Sequence, residues 1–265
     1  MTTLYTNGCS FTHGHRDHTM ILHESGLKMH DIKQDAPWAW PRRLEPVFDA
    51  VVNEAWSGGS NHRIFRRSIE YLTNQSDCTN HVIVLQFTDL NRSEWYDNDS
   101  QTWAGQLNHR LIYDDRSWNK RGINRDFNKK KGKHNIENCA LVGSDLQILM
   151  DFLMQLSAFE RYCESRGISK ILYTAMSSQC DLSEIVMAVN GKENDFRSLL
   201  HSVSSDDRAV INALLSQIRS DRVVMPIARL TKKHVESATD GHPNEQGHQV
   251  FAEYIQTQMR DRGFI

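Results

Sequence analysis

The sequence nowhere reaches the ~18 consecutive apolar residues that a bilayer-crossing helix needs, and no basic-then-apolar leader opens it. A cytoplasmic protein without a membrane partner is the expectation. Charge of one sign is also scarce: 31 Lys and Arg stand against 33 Asp and Glu, a formal net charge of -2. That balance removes the electrostatic case for nucleic acid as a partner. Five cysteines, Cys9, Cys78, Cys139, Cys163 and Cys180, are scattered, odd in number and without a CxxC pair. They suggest neither a disulfide framework nor a zinc site, and a reducing compartment is the simpler setting. Neither GxGxxG nor GxxxxGK[ST] follows the first strand-like run, which disfavours a nucleotide-binding domain. His13, His15, Asp17 and His18 are irregularly spaced and lack an HExxH-type helix, so they read as a loop, and neither metal nor cofactor is expected. There is no internal repeat and no low-complexity tail.

What the chain does contain is ordinary globular material, 265 residues with 39% hydrophobic and 24% charged content, enough for one sizeable core. A single domain over residues 1–265 is expected. Strand-like runs at 4–6, 50–55, 81–88, 170–176 and 222–227 alternate with helical patterns at 38–48, 61–72, 143–166 and 245–260. In the last of these, Val250, Phe251, Tyr254, Ile255 and Met259 recur at helical spacing on one face. The alternation predicts an α/β fold, a flavodoxin-like three-layer α/β/α sandwich around a five-stranded parallel sheet. Two stretches exceed that plan and read as insertions, near 91–138 and 180–220. The first carries many Trp, Asn, Asp and Arg residues and the run Lys129-Lys130-Lys131-Gly132-Lys133, which reads as a solvated loop. Both follow strand ends, where open α/β sheets hold their ligands.

Two blocks carry chemistry. After the first strand comes Asn7-Gly8-Cys9-Ser10-Phe11-Thr12, in which a glycine permits a sharp turn and a small hydroxyl residue is left at the mouth of the sheet. A helix starting there would aim backbone N–H groups at the same point. Alone, the block equally describes a strand-to-helix turn with Ser10 as an N-cap. Near the other end, Asp240-Gly241-His242-Pro243-Asn244 lies between the last strand-like run and the last helix. An imidazole at that edge is placed to take the Ser10 proton, with a carboxylate or carbonyl to orient it, although a lone Asp-Gly-His is also a common solvated turn.

These blocks resemble those of the SGNH, or GDSL-like, hydrolases. The resemblance also takes in Asn53-Glu54-Ala55-Trp56-Ser57-Gly58-Gly59-Ser60-Asn61 as the second block and Leu85-Gln86-Phe87-Thr88-Asp89 as the third, in the family's order and at predicted strand ends. It implies Ser10 as nucleophile, His242 as general base and Asp240 as the orienting carboxylate. It implies an oxyanion hole from the N–H of Ser10, the N–H of Gly58 and a side chain of the third block. There the family has Asn and this chain has Thr88, with Asn91 the alternative donor. The Asp240 to His242 spacing is one residue shorter than the family's, and Cys9 replaces the Asp that usually precedes the serine. Cys9 as nucleophile is the lesser alternative, and His248 reads as packing. Asn61, Arg92 and Trp95 are the candidate substrate-binding residues, and Trp103 and Trp118 complete an aromatic set suited to sugar.

The function so implied is hydrolysis of an ester through an acyl-serine intermediate, removing small acyl groups from a small-molecule or carbohydrate substrate. The competing reading is an SGNH fold that has lost its activity and serves in binding or structure. The first and second blocks also resemble GDSL-like proteins encoded by tailed bacteriophages, which adds a virion-associated location and a virion or homo-oligomer partner to the expectations.

Overall fold

The computed structural model describes residues 1–14, 36–57, 59–90, 92–97, 102–108, 145–177, 181–189, 204–236 and 241–265. Its centre is a parallel sheet of β1 (Thr3–Asn7), β2 (Ala50–Asn53), β3 (His81–Phe87) and β6 (Ile171–Ala175), in the spatial order β2-β1-β3-β6. The sheet order reverses at β1, which has β2 on one side and β3 on the other, and ligand crevices of open α/β sheets form at such a point.

Strand β3 is buried along its whole length, as a central parallel strand covered on both faces must be. Its side chains alternate between two cores. Ile83, Leu85 and Phe87 pack with Phe65 of α2 (Asn61–Thr73) and with Phe152, Leu156 and Phe159 of α3 (Asp145–Ser165). Val82 and Val84 face the other way, against Trp40 and against Phe251, Ile255 and Met259 of the C-terminal helix, Glu245–Asp261. The mixed α/β architecture with helices on both faces of a parallel sheet is thus as expected.

The sheet has four strands where five were expected. The run at 222–227 follows a 3-10 turn, Ser220–Arg222, touches β6 through the single bridge Tyr173 to Val223, and donates Val224 N–H to Tyr173 O at 2.8 Å. Pro226 then ends it, because proline has no N–H for a ladder and here is the N-cap of a short helix, Ile227–Thr231. What anchors this edge is instead a buried ion pair between Arg222 and Glu160 of α3, with side-chain exposures of 4% and 2%. The expected helix at 38–48 is likewise only a 3-10 helix, Arg42–Val47, with Pro46 inside it. A proline there removes the amide an α-helix would use.

Within the two stretches expected as insertions, β4 (Arg92–Asp97) and β5 (Thr102–Asn108) form an antiparallel hairpin, and Leu182–Val189 and Ser205–Ser216 are helices. The lysine run, Trp118, Cys139 and Cys180 lie outside the described residues. Among the described residues no helix is long and apolar enough to cross a membrane, and no group of His, Cys, Asp or Glu is arranged to hold a metal ion.

Candidate active site

The turn after β1 is held by a buried amide. Asn7 Oδ1 accepts the Gly8 N–H at 2.8 Å, and Asn7 Nδ2 is within hydrogen-bond distance of Ile64 O at 3.1 Å, Ser68 Oγ at 3.1 Å and Tyr5 OH at 3.2 Å. This ties the end of the strand to α2. Burial pushes the Tyr5 phenol far above its ordinary range, so it stays neutral and serves as a hydrogen-bonding group. The backbone then enters a single helical turn, α1 (Ser10–His13), with Cys9 as N-cap and Gly14 closing it in the left-handed conformation at φ 80°.

Gly8 makes this turn possible. A Cβ there would stand 2.5 Å from Thr12 Oγ1 and 3.0 Å from Gln86 Cβ, both buried and held together by a Thr12 Oγ1 to Gln86 Oε1 hydrogen bond of 2.5 Å. Gly8→Ala is therefore expected to destabilise the fold by about 1–3 kcal/mol through overpacking. A denaturation midpoint equal to that of the unsubstituted protein would show that the turn has room to spare.

His242 approaches from the opposite end of the chain. Residues 234–236 and 242–244 form a short antiparallel clamp: Val235 bridges Pro243, Glu236 N–H donates to His242 O at 2.9 Å, and Asn244 N–H donates to His234 O at 2.9 Å. Asn244 also caps the C-terminal helix by accepting the Gly247 N–H at 3.0 Å. Gly247 admits no side chain, because a Cβ would come within 2.5 Å of His234 O. So fixed, His242 Nε2 lies 2.8 Å from Ser10 Oγ, across 232 residues of sequence. The Phe11 ring packs beside the imidazole at a centroid distance of 4.9 Å.

The other expected site residues divide into those brought to this edge and those outside the described residues. Gly58, Asn91 and Asp240 belong to the latter. The second block nevertheless reaches the nucleophile turn: Trp56 N–H donates to Gly8 O at 3.1 Å, and a Cβ on Gly59 would be 3.0 Å from that same carbonyl. Asn61 holds the third block, because its side chain accepts the Thr88 N–H at 2.9 Å and donates to Thr88 O at 3.0 Å. The Thr88 hydroxyl, fully buried, faces Met176 Sδ at 3.9 Å. Arg92 approaches the same sulfur at 3.7 Å through Nη2. Trp95 is placed by its backbone alone, in β4 opposite Ala104.

Cys9 is fully buried among the first core's side chains, and burial raises its thiol above the ordinary range, the reverse of what a thiolate nucleophile requires. His13 is buried, His248 is buried and accepts the Trp40 N–H on Nδ1 at 3.2 Å, and His15, Asp17 and His18 lie outside the described residues. Asn7, Gln86 and Phe11 were not singled out by sequence reasoning. For Asn7 the usable signal was an amide side chain at the last position of a buried strand, where a polar group needs partners.

The arrangement puts a hydroxyl in contact with an imidazole at the C-terminal edge of a parallel sheet, next to the start of a helical turn. Comparison with known proteins adds the following. A family model described as a family of unknown function matches residues 24–265. No curated protein matches the chain. Similar solved structures include the psychrotrophic esterase EstA from Pseudoalteromonas sp., in a form inhibited by monoethylphosphonate, at 9% identity over 98% of each chain with a TM-score of 0.45. A member of the lipolytic protein G-D-S-L family from Veillonella parvula follows at 11% identity over 97% of each chain and a TM-score of 0.44. Phospholipase A1 from Streptomyces albidoflavus is similar at 9% identity, over 97% of this chain and 99% of that one, with a TM-score of 0.40. Superpositions this loose carry no chemistry with them, and the functional reading rests on the residues of the site.

Proposed function

Proceeding from the chain's membership of DUF6071, a family of unknown function to which it belongs over residues 24–265, we propose that it is an SGNH-type serine hydrolase acting on ester bonds. The observation that carries the proposal is the 2.8 Å contact between His242 Nε2 and Ser10 Oγ, with the two side chains supplied by opposite ends of the chain. In the reaction His242, as neutral imidazole, takes the Ser10 proton while Oγ attacks the ester carbonyl. The imidazolium then returns the proton to the departing alcohol, leaving an acyl-Ser10 that water hydrolyses by the same steps. Asp240, or a backbone carbonyl in its place, orients the imidazole.

The developing oxyanion takes the Ser10 N–H and the Gly58 N–H. For the third donor we favour Asn91 over Thr88, because the Thr88 hydroxyl is a single rotatable donor buried beside Met176 Sδ and the Cys9 thiol. Thr88→Val is accordingly expected to lower kcat less than about tenfold, whereas loss of a true oxyanion donor, Asn91→Ala, is expected to cost about 10²–10³-fold. Steady-state kinetics on one ester decide it, and the reverse ranking would return the role to Thr88.

The substrate we favour is a small acyl group, such as acetyl, on a carbohydrate, with no nucleic-acid or membrane partner. A rotatable hydroxyl at Thr88 in place of a fixed amide donor also favours a second reading, an SGNH fold retained for binding, in a virion or between copies of the chain. Labelling with a fluorophosphonate separates the two. An adduct on Ser10 that requires His242 supports the hydrolase, and folded protein without any serine adduct moves the assignment to the binding role.

A further inference from the structure

Immediately beyond β3, Arg92 N–H donates to Asp89 O at 3.1 Å. Their side chains are more than four-fifths buried, at 17% and 19% exposure, yet Arg92 Nη2 stands 3.7 Å from Asp89 Oδ2, too far for a hydrogen bond. Among the described residues the guanidinium has one further partner, Met176 Sδ at 3.7 Å, and a thioether is a weak acceptor. Among the described residues the Asp89 carboxylate has no other side-chain partner. Neither side chain is fully buried, so the guanidinium N–H groups and carboxylate oxygens that make no direct bond to the described residues remain able to meet a ligand.

The pair belongs to the same sheet edge as Ser10. It follows Thr88, whose backbone Asn61 grips from the start of α2, and Arg92 shares Met176 Sδ with the Thr88 hydroxyl. The Arg92 charge is also felt at Cys9, the residue before the nucleophile, where it opposes the upward push of burial on the thiol, and the Asp89 charge adds to that push. The pair's composition limits what it can receive. A carboxylate ligand would be attracted by Arg92 and repelled by Asp89, and an ammonium the reverse. A neutral alcohol suits both, because a hydroxyl accepts from the guanidinium and donates to the carboxylate at once.

We propose that Asp89 and Arg92 form a hydroxyl-reading pair, so that the ester cleaved at Ser10 is one whose alcohol is a polyol with a free hydroxyl near the ester. This rests on the hydrolase reading and narrows its substrate class to esters with a free neighbouring hydroxyl. An ester without that hydroxyl would bury both charges unmatched, and sites built to hydrogen-bond a substrate hydroxyl discriminate strongly against its absence.

The test compares kcat/KM, by acetate release, for methyl xylopyranoside monoacetate, for the same ester with its remaining hydroxyls methylated, and for the acetyl ester of 3-hydroxybutyrate, which carries a carboxylate and no hydroxyl. The unsubstituted protein is expected to favour the free-hydroxyl ester over its methylated partner by at least about tenfold. Asp89→Ala and Arg92→Gln are each expected to lower that ratio to within about threefold of unity, whatever they do to the absolute rates. A wild-type ratio near unity, a preference for the carboxylate ester, or a ratio that survives both substitutions overturns the pair's role while Ser10-dependent turnover leaves the hydrolase standing. Because the wild-type ratio decides by itself, poor folding of either variant does not remove the test. Failure of all three esters, with no fluorophosphonate adduct on Ser10, removes the hydrolase reading and this inference with it.

Discussion

Ser10→Ala and His242→Ala are each expected to lower ester turnover on the order of 10⁴–10⁶-fold while leaving the thermal midpoint close to that of the unsubstituted protein. The hydroxyl and the imidazole meet at 2.8 Å, and neither has a function in acyl transfer without the other: the serine is a poor nucleophile until its proton has somewhere to go. Groups that act as a unit are not additive, so the double variant should be no slower than the slower single one. Multiplication of the two losses in the double variant would mean that the residues act separately, and the contact would then be a packing contact only. Asp240→Ala is expected to lose less than either, because a carbonyl can hold the imidazole in its place; equal losses at all three positions would establish a full triad.

The largest effect on stability is expected at the other end of the sheet. Arg222→Met leaves Glu160 buried at 2% exposure without its guanidinium, and breaking a buried pair from one side typically costs about 3–5 kcal/mol. For a chain of this size that corresponds to a thermal midpoint lower by roughly 6–20 °C. Replacing both partners, Arg222→Met with Glu160→Leu, should recover most of the loss, because no charge then remains to be buried. Burial already pushes the Glu160 carboxyl above its ordinary range against the pull of Arg222, and removing the arginine drives it further up. A carboxyl whose folded value is raised takes up a proton on folding, so its penalty is absent at low pH and grows as pH rises through the interval between the unfolded and folded values. The deficit of Arg222→Met should therefore shrink as the pH is lowered towards about 5, and a deficit independent of pH would assign the loss to packing instead.

Much of this architecture was legible in the residue pattern. The runs that became β1, β2, β3 and β6 are short, rich in apolar residues and bounded by polar or turn residues, and the helices Asn61–Thr73, Asp145–Ser165 and Glu245–Asp261 carry apolar faces at helical spacing. The run at 222–227 has the same local character, but whether it completes a ladder depends on hydrogen bonds with β6, and Pro226 with the buried Arg222 leaves it only one bridge. The hairpin of β4 and β5 escaped notice for a related reason. Its strands are mostly polar, with Trp95 and Tyr96 adjacent and Trp103 alone, so they carry no apolar period, and the pairing of Trp95 with Ala104 is a fact of register.

The same division runs through the site. Local chemistry, written in the sequence, determined which residues were able to act: Ser10 and His242 stand in blocks whose glycine and proline neighbours shape turns at element ends. Only the tertiary structure decided that the two meet, because closing 232 residues of chain into one 2.8 Å contact depends on the sheet order and on the clamp of residues 234–236 against 242–244. It also decided the roles of neighbours with similar chemistry. Asn61 is an amide that a sequence can offer for substrate, but folding places it on the Thr88 backbone, since a buried peptide group must find a partner wherever the fold supplies one.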